Sequence, residues 1–449
     1  MKPRLGGVLV IIALCIIVKA EATTKEHVGQ PGNKREAFVT LLYGDGDYVL
    51  SVRVLGLSLK QSGTQHEMIV LCTDEVSTKS RMILENDGWT IIQAESIGCP
   101  YRNCPKQYSK IFSRYLIWTL TDYRRIVFLD SDTLVYANID ELFRCGKFCA
   151  SYRHSDLFNA GVLVVEPDLQ EYRNIISKIG IYPSYDTADQ GFLNYYYQSL
   201  IFAPMFNASD RHYQKEPMRL PAIYNADVGQ YYVYTSRFFP LKPFKVLHHT
   251  LGPVKPWRWW TYPIFDLNWR WIELRDQLDP SFDSPMGLFL AAAVNFILLA
   301  IQVVLRHHNI PKPSKIAILN SNSTLFRIII ALLFPISCVL GFYIVPSSMH
   351  PHYAIPAFCL WTIFFVRLFY YGVYLVKNTC HPHYEFPLSK GIALIGLLLF
   401  APLAMPLYIQ SFFTRVCVFL ALIIFAFVGS HLLISNSEAE NNKQKPFYF

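Results

Sequence analysis

What most restricts this chain is the stretch after Ser284-Pro285, where five apolar segments follow one another: Met286–Leu305, Ile328–Val345, Tyr353–Val376, Gly391–Ile409 and Val416–Ile434. Each is long enough to cross a bilayer. The hydrocarbon core tolerates only backbone that closes its own hydrogen bonds, so an all-α bundle of about five transmembrane helices is predicted over 285–435. A hydrophobic content of 52% in 449 residues agrees with a membrane protein. The basic residues orient the bundle. Arg306, Lys312, Lys315 and Arg327 follow the first segment, Lys377 and Lys390 the third, and Lys443 and Lys445 the last, while the other two loops hold only Arg415. Positive charge favours the cytosolic side, which predicts a luminal domain at 23–284 and a cytosolic tail at 436–449.

The N-terminus agrees independently. Met1-Lys2-Pro3-Arg4, an uncharged run from Leu5 to Val18 and then Ala20-Glu21-Ala22 read as a secretory signal, so residues 1–22 are a signal peptide or an uncleaved anchor. The sequon Asn207-Ala208-Ser209 is then luminal and open to glycosylation, whereas Asn322-Ser323-Thr324 is cytosolic and is not. Of the ten cysteines, Cys99, Cys104, Cys145 and Cys149 suit local or crossed disulfides in an oxidising lumen, with a four-thiolate zinc site as the alternative. Cys338, Cys359 and Cys417 lie in apolar runs. Arg367 sits inside the third apolar segment, where it contacts headgroups, snorkels or pairs with a neighbouring helix. The net charge of +8 is not gathered into one run, so no nucleic-acid function follows.

The luminal part alternates strand-like and helix-like patterns. Ala37–Leu42, Glu67–Cys72 and Ile126–Leu129 read as buried strands, with a helix from Tyr48 to Lys60 after Gly44-Asp45-Gly46. Such alternation predicts an α/β fold with a mostly parallel sheet covered on both faces. Ligands bind at the carboxyl ends of strands in these sheets, and there stand Asp130-Ser131-Asp132.

Two carboxylates one residue apart repel unless a cation lies between them, and with no thiolate nearby that cation is a hard divalent ion, Mn²⁺ or Mg²⁺. It would also grip a diphosphate and stabilise a phosphate leaving group. Taken alone, this carboxylate pair equally suits a solvated strand end or a helix cap. Three other stretches join it: Phe158-Asn159-Ala160-Gly161-Val162, Asp189-Gln190-Gly191, and His248-His249-Thr250-Leu251-Gly252-Pro253-Val254-Lys255-Pro256-Trp257. Imidazole completes a metal shell, glycine admits phosphate to backbone, and lysine brings a mobile positive charge. Each also has a structural reading: a turn at Gly161, a cap at Asp189, a surface loop at Lys255. The aromatic run Trp257–Tyr262, with Trp269 and Trp271, reads as docking at the membrane interface or as core.

Together FVTL at 38–41, TLTDY at 119–123, DSDTLVYANIDELF, FNAGVLVVEP, ADQGFLN and HTLGPVKPW resemble glycosyltransferase family 8, the glycogenin-like retaining transferases with a GT-A fold, over about residues 36–275. CGKFCASYRHSDLFNAGVLVVEP and IYNADVG at 223–229, with the multispan C-terminal region, look similar to the plant-type inositol phosphorylceramide glucuronosyltransferases. The resemblance implies that Asp130, Asp132 and His249 bind Mn²⁺, with Ser131 between the aspartates. It implies that Gly252 and Lys255 contact the donor diphosphate, and that Tyr48 lies against uridine. Asn159, Ala160, Gly161, Asp189 and Gln190 would surround the sugar, with Asp189 stabilising positive charge on it, and Arg114 falls where the family usually has a lysine. Two departures stand out: Asp130-Ser131-Asp132 for D-A-D, and Thr187-Ala188-Asp189-Gln190 for G-G-D-Q. The implied protein is a multi-pass Golgi enzyme that moves a sugar, glucuronic acid first, from a UDP-sugar to a sphingolipid inositol headgroup in the lumen. The alternatives are a polysaccharide or protein acceptor, or a non-catalytic subunit that binds a nucleotide sugar.

Overall fold

The structure, a computed structural model, describes residues 35–152, 156–233, 243–279, 284–307, 324–377, 412–418 and 420–422. Its strands are β1 (Arg35–Leu42), β2 (Glu67–Cys72), β3 (Thr90–Gln93), β4 (Tyr123–Leu129), β5 (Thr133–Val135), β6 (Phe148–Tyr152), β7 (Phe158–Val165), β8 (Met218–Leu220), β9 (Ala226–Asp227) and β10 (Val246–His248). The helices are α1 (Asp47–Gln61), α2 (Thr78–Asn86), α3 (Leu169–Lys178), α4 (Asp189–Tyr196), α5 (Val228–Val233), α6 (Trp269–Arg275), α7 (Met286–His307), α8 (Thr324–Ile344) and α9 (Pro351–Lys377).

One sheet has the order β3-β2-β1-β4-β7-β6-β8 and a second has the order β5-β10-β9. Strands β1, β2 and β3 run parallel, as do β6 and β8, but β7 is antiparallel to both β4 and β6. The sheet is thus mostly parallel, as expected, with β7 as its antiparallel exception. Only residues 153–157 separate β6 from β7, too few for the crossover of a dozen residues that parallel pairing needs. This antiparallel strand has a use: it brings its start, Phe158 to Gly161, to the carboxyl end of β4, where Leu129 faces Val162.

Both sheet faces are covered, so the strands read as continuous apolar runs. Val127, Leu129, Val162 and Val164 pack with Val52, Leu55 and Leu59 of α1 on one face. Ile126, Phe128, Leu163 and Val165 pack with Trp118 and Phe192 on the other. Truncating a buried ring such as Phe128 to alanine would cost about 3–5 kcal/mol, because transfer and cavity terms add. Cys99 pairs with Cys104 and Cys145 with Cys149, so both disulfides are local, and the four-thiolate alternative lapses. Asn207 is exposed, as its sequon requires.

Beyond Ser284, Met286–Val304 and Pro351–Phe369 are long and apolar enough to cross a membrane, and only 6% and 28% of their apolar windows are buried within the chain. Phe289, Phe296 and Ile301 of α7 stand exposed, an apolar surface that calls for a cover. α8 forms as well, apolar over Leu332–Ile344. The described residues thus bear out two candidate spans and one further apolar helix. The expected segment Gly391–Ile409, and most of Val416–Ile434, lie outside the described residues. Arg367 of α9 donates to Gln302 of α7, and Asn295 Nδ2 donates to Leu360 O at 2.9 Å, so Arg367 pairs helix with helix.

These helices are tied to the α/β domain through the loop between α8 and α9. Trp259 N–H donates to Ser347 O at 3.2 Å, Arg275 donates to Ser348 O at 2.7 Å, and His350 Nε2 lies 2.7 Å from Asp276. Arg415 joins Asp266 at 2.9 Å and donates to Ile264 O at 2.7 Å. The aromatic run splits between two packing environments. Trp257 and Trp271 are core, whereas Trp259 and Trp260 lie against Phe342 of α8.

Candidate active site

Strand β4 ends where the order turns back between β1 and β4, the switch point at which such sheets bind ligands. Its apolar run stops at Leu129, and the next three residues form a tight turn. Asp130 N–H donates to Gly161 O at 2.8 Å, and the Thr133 N–H and hydroxyl both donate to Asp130 O, at 2.9 and 2.8 Å. Ser131 takes part through its carbonyl, which accepts from the Ser51 hydroxyl of α1 at 2.7 Å. The two carboxylates are left at the mouth, with 25% and 12% of their side-chain surfaces open.

An imidazole meets them from the second sheet. β10 runs antiparallel to β5 with His248 opposite Thr133, which sets His248 Nε2 at 3.2 Å from Asp132 and 3.7 Å from Asp130. Donor atoms of Asp130, Asp132 and His248 all lie within 4.8 Å of one another. Two carboxylates and one imidazole, without sulfur, fit Mn²⁺ or Mg²⁺. The imidazole in this group is His248, whereas the resemblance assigned His249. His249 is fully buried, its N–H donates to Asp132 O at 3.0 Å, and burial pushes its ring pKa down to about 3. Successive residues of a strand face opposite ways, so one register allows only one of the two rings to reach the carboxylates.

A chain of amides holds His248 in place. Gly161 N–H donates to Asn159 Oδ1 at 3.0 Å and Ala160 N–H donates to Gln190 Oε1 at 3.1 Å, and these two backbone donors fix which way both side chains point. Asn159 Nδ2 then donates to Gln190 Oε1 at 2.7 Å, and Gln190 Nε2 donates to Tyr185 at 2.6 Å. Asn225 Nδ2 donates to Asn159 Oδ1 at 2.8 Å, which turns Asn225 Oδ1 toward His248 Nδ1 at 2.9 Å. That oxygen can only accept, so the neutral ring carries its proton on Nδ1 and presents a bare Nε2 to the aspartates. Gly161 makes room: a Cβ there would lie 2.1 Å from the ring of His248. Its glycine thus clears an imidazole.

Arg114 organises the opposite side. It is buried in the 3₁₀ segment Ile111–Thr119, donates to Asp130 at 2.6 Å and to Ala160 O at 3.0 Å, and lies 2.8 Å from Asp189. Burial raises the Asp189 carboxyl to about 6 despite Arg114, and burial also raises Asp130. Burial would raise Asp132 too, but Lys255 and His248 outweigh it and hold that carboxyl below the usual range. Lys255 Nζ donates to Asp132 and to His249 O. Tyr48 is partly exposed, with its ring edge-on to Trp257 at 5.0 Å, and Gly252 stands in open space.

The structure therefore gathers Asp130, Ser131, Asp132, Arg114, Asn159, Ala160, Gly161, Asp189, Gln190 and Lys255, with Tyr48 close by through Trp257. Asp189 is closed off against Arg114, where the resemblance had it facing the sugar. Sequence reasoning missed His248 in its role, and it missed Asn225 and Tyr185 altogether. Asn225 lay within the quoted IYNADVG, and nothing in that stretch marks it as the partner of a residue 66 positions away.

No family model matches the chain. The inositol phosphorylceramide glucuronosyltransferase 1 of Arabidopsis thaliana is 37% identical over 261 residues, 57% of this chain and 48% of that protein. The putative glucuronosyltransferase PGSIP7 of the same plant is 30% identical over 336 residues, 71% of this chain and 67% of that protein. Human glycogenin-2 is 33% identical over 232 residues, 50% of this chain and 44% of that protein. The chain belongs to glycosyltransferase family 8. The chain spans about half the length of the first and third of these relatives. Against the usual family 8 pattern, Thr187 stands where a glycine is common, yet its backbone keeps a positive φ of 54°, a conformation that favours glycine.

Proposed function

We propose that this chain is a metal-dependent, retaining glycosyltransferase that moves glucuronic acid from its UDP-sugar to the inositol headgroup of inositol phosphorylceramide. The observation that carries the chemistry is the convergence of Asp130, Asp132 and His248 within 4.8 Å at the switch point of the sheet. The acceptor rests on the likeness to the plant enzyme.

Bound Mn²⁺ or Mg²⁺ supplies charge neutralisation for a diphosphate leaving group. The chain's own residues do the rest. Lys255 and Arg114 flank the carboxylates with two more positive charges, which favours a triply charged nucleotide product over the neutral surroundings. Tyr48, backed by the buried Trp257, offers an aromatic surface to the base. Asn159 and Gln190 present a prearranged amide surface to the sugar. Asp189 holds Arg114 in register and contributes negative potential behind the sugar-binding side. Among the residues around the site none is free to act as an assured nucleophile, which suits a front-face route in which the leaving phosphate takes the acceptor's proton.

The membrane placement follows the same logic. The loop between α8 and α9 and the segment around Arg415 both touch the α/β domain, and both fall on the side that the basic-residue pattern assigns to the lumen. A domain held at the membrane surface reaches a lipid headgroup without a shuttle, and a multi-pass Golgi location accords with that.

The test is direct. Purified full chain in detergent with Mn²⁺, a panel of UDP-sugars and inositol phosphorylceramide should yield a glucuronosylated lipid by mass spectrometry, lost in Asp132→Asn. A glycan product, or UDP release alone, removes the lipid assignment.

A further inference from the structure

Three residues beyond Lys255 lies a cation without a carboxylate. Arg258 is half-buried, its guanidinium lies over the Trp260 ring at 5.2 Å, and its Nε is buried without a hydrogen-bond partner among the described residues. No ion pair forms on it among those residues, whereas nearby Arg415 has Asp266 and Arg270 has Glu273. Its neighbours define its height. Trp260 packs on Phe342 at 4.8 Å, close to the end of α8, and Trp259 lies between Phe342 and Phe358 at 5.5 and 5.4 Å. The backbone of the same segment runs back to the site, since Arg258 N–H donates to Lys255 O at 3.0 Å.

A guanidinium 5.2 Å above an indole that packs near the end of an apolar helix, three residues from Lys255, offers a fork of donors suited to a lipid phosphate. Leaving it unmatched is costly unless a ligand supplies the anion. We propose that Arg258 binds the phosphodiester of the acceptor lipid and so turns the headgroup beyond that phosphate toward Asp130 and Asp132. This rests on the lipid-acceptor reading above and names the contact that selects a phosphate-bearing lipid over a neutral one.

The experiment is native mass spectrometry of the full chain in detergent, wild type, Arg258→Gln and Arg258→Lys, titrated separately with inositol phosphorylceramide, with glucosylceramide as the phosphate-free lipid, and with UDP plus Mn²⁺. Loss of a charge-assisted hydrogen-bond pair predicts roughly tenfold or greater weakening of inositol phosphorylceramide in Arg258→Gln, less in Arg258→Lys, with glucosylceramide and UDP unchanged. Equal affinity of wild type and Arg258→Gln for inositol phosphorylceramide overturns the proposal. Equal weakening of glucosylceramide makes the residue a packing element, and weakened UDP makes it a donor contact; either result also overturns it. Failure of the wider reading looks different: wild type then transfers nothing to lipid, while Arg258→Gln still loses the phosphate-bearing lipid.

Discussion

Asn225 Oδ1 lies 2.9 Å from His248 Nδ1, and through that contact the orientation of one amide decides which nitrogen of the ring faces the carboxylates. Partners of this kind, one step removed from a metal, change metal affinity by about 10–100-fold when removed. Asn225→Ala should therefore weaken Mn²⁺ binding in that range, measured by calorimetric titration. Asn225→Asp, which still accepts from Nδ1, should lose less. Equal affinity in wild type and Asn225→Ala would show that the contact does not position the ring.

Two adjacent histidines give a sharp contrast. His248→Ala should abolish Mn²⁺ binding, whereas His249→Leu should leave it within about threefold, because the ring of His249 is buried and is not one of the three converging donors. The reverse result would mean that β10 sits one residue out of the described register.

Asp189 predicts a pH signature. Its carboxyl stands at about 6 in the folded chain, above the roughly 3.9 of an unfolded aspartate. Between about pH 4 and pH 6 the unfolded chain gives up that proton first, so folded stability falls as pH rises through this window and is level above it. Two units correspond to about 3 kcal/mol. Thermal melts of metal-free chain should show wild type losing stability relative to Asp189→Asn from pH 4 to 6. Parallel curves would contradict it.

Thr187 holds a φ of 54° with a β-branched side chain, a conformation that costs on the order of 1 kcal/mol or more. Thr187→Gly should raise the melting temperature by a few degrees while leaving Mn²⁺ and UDP binding in place. A lower melting temperature would show that its hydroxyl contact with Asn103 O matters more than the backbone strain.

Much of this was legible in the sequence, for physical reasons. Apolar runs bounded by Gly44-Asp45-Gly46 and by Asp130 mark strand ends, and β1, β2 and β4 form within a few residues of where the pattern puts them. The carboxylates of Asp130 and Asp132 needed no tertiary knowledge, because strand ends in such sheets are where ligands bind. The choice between His248 and His249 was different. A strand has a period of two, so that choice depends on the register of β10 against β5, which no local pattern encodes. Asn225 and Arg114 illustrate the same point, since their partners lie from 16 positions away, at Asp130, to 66 and beyond, at Asn159 and Asp189. The short β6–β7 connection was open to inspection and would have revealed the antiparallel strand.

The central claim is that Asp130, Asp132 and His248 share an ion that in turn holds the donor diphosphate. Calorimetric titration of UDP into purified full chain, with Mn²⁺ and then with chelator, measures it. The account predicts tight binding with Mn²⁺, a loss of about 100-fold or more with chelator, and the same loss in Asp132→Asn with Mn²⁺ present. UDP binding of equal strength in all three conditions would contradict it.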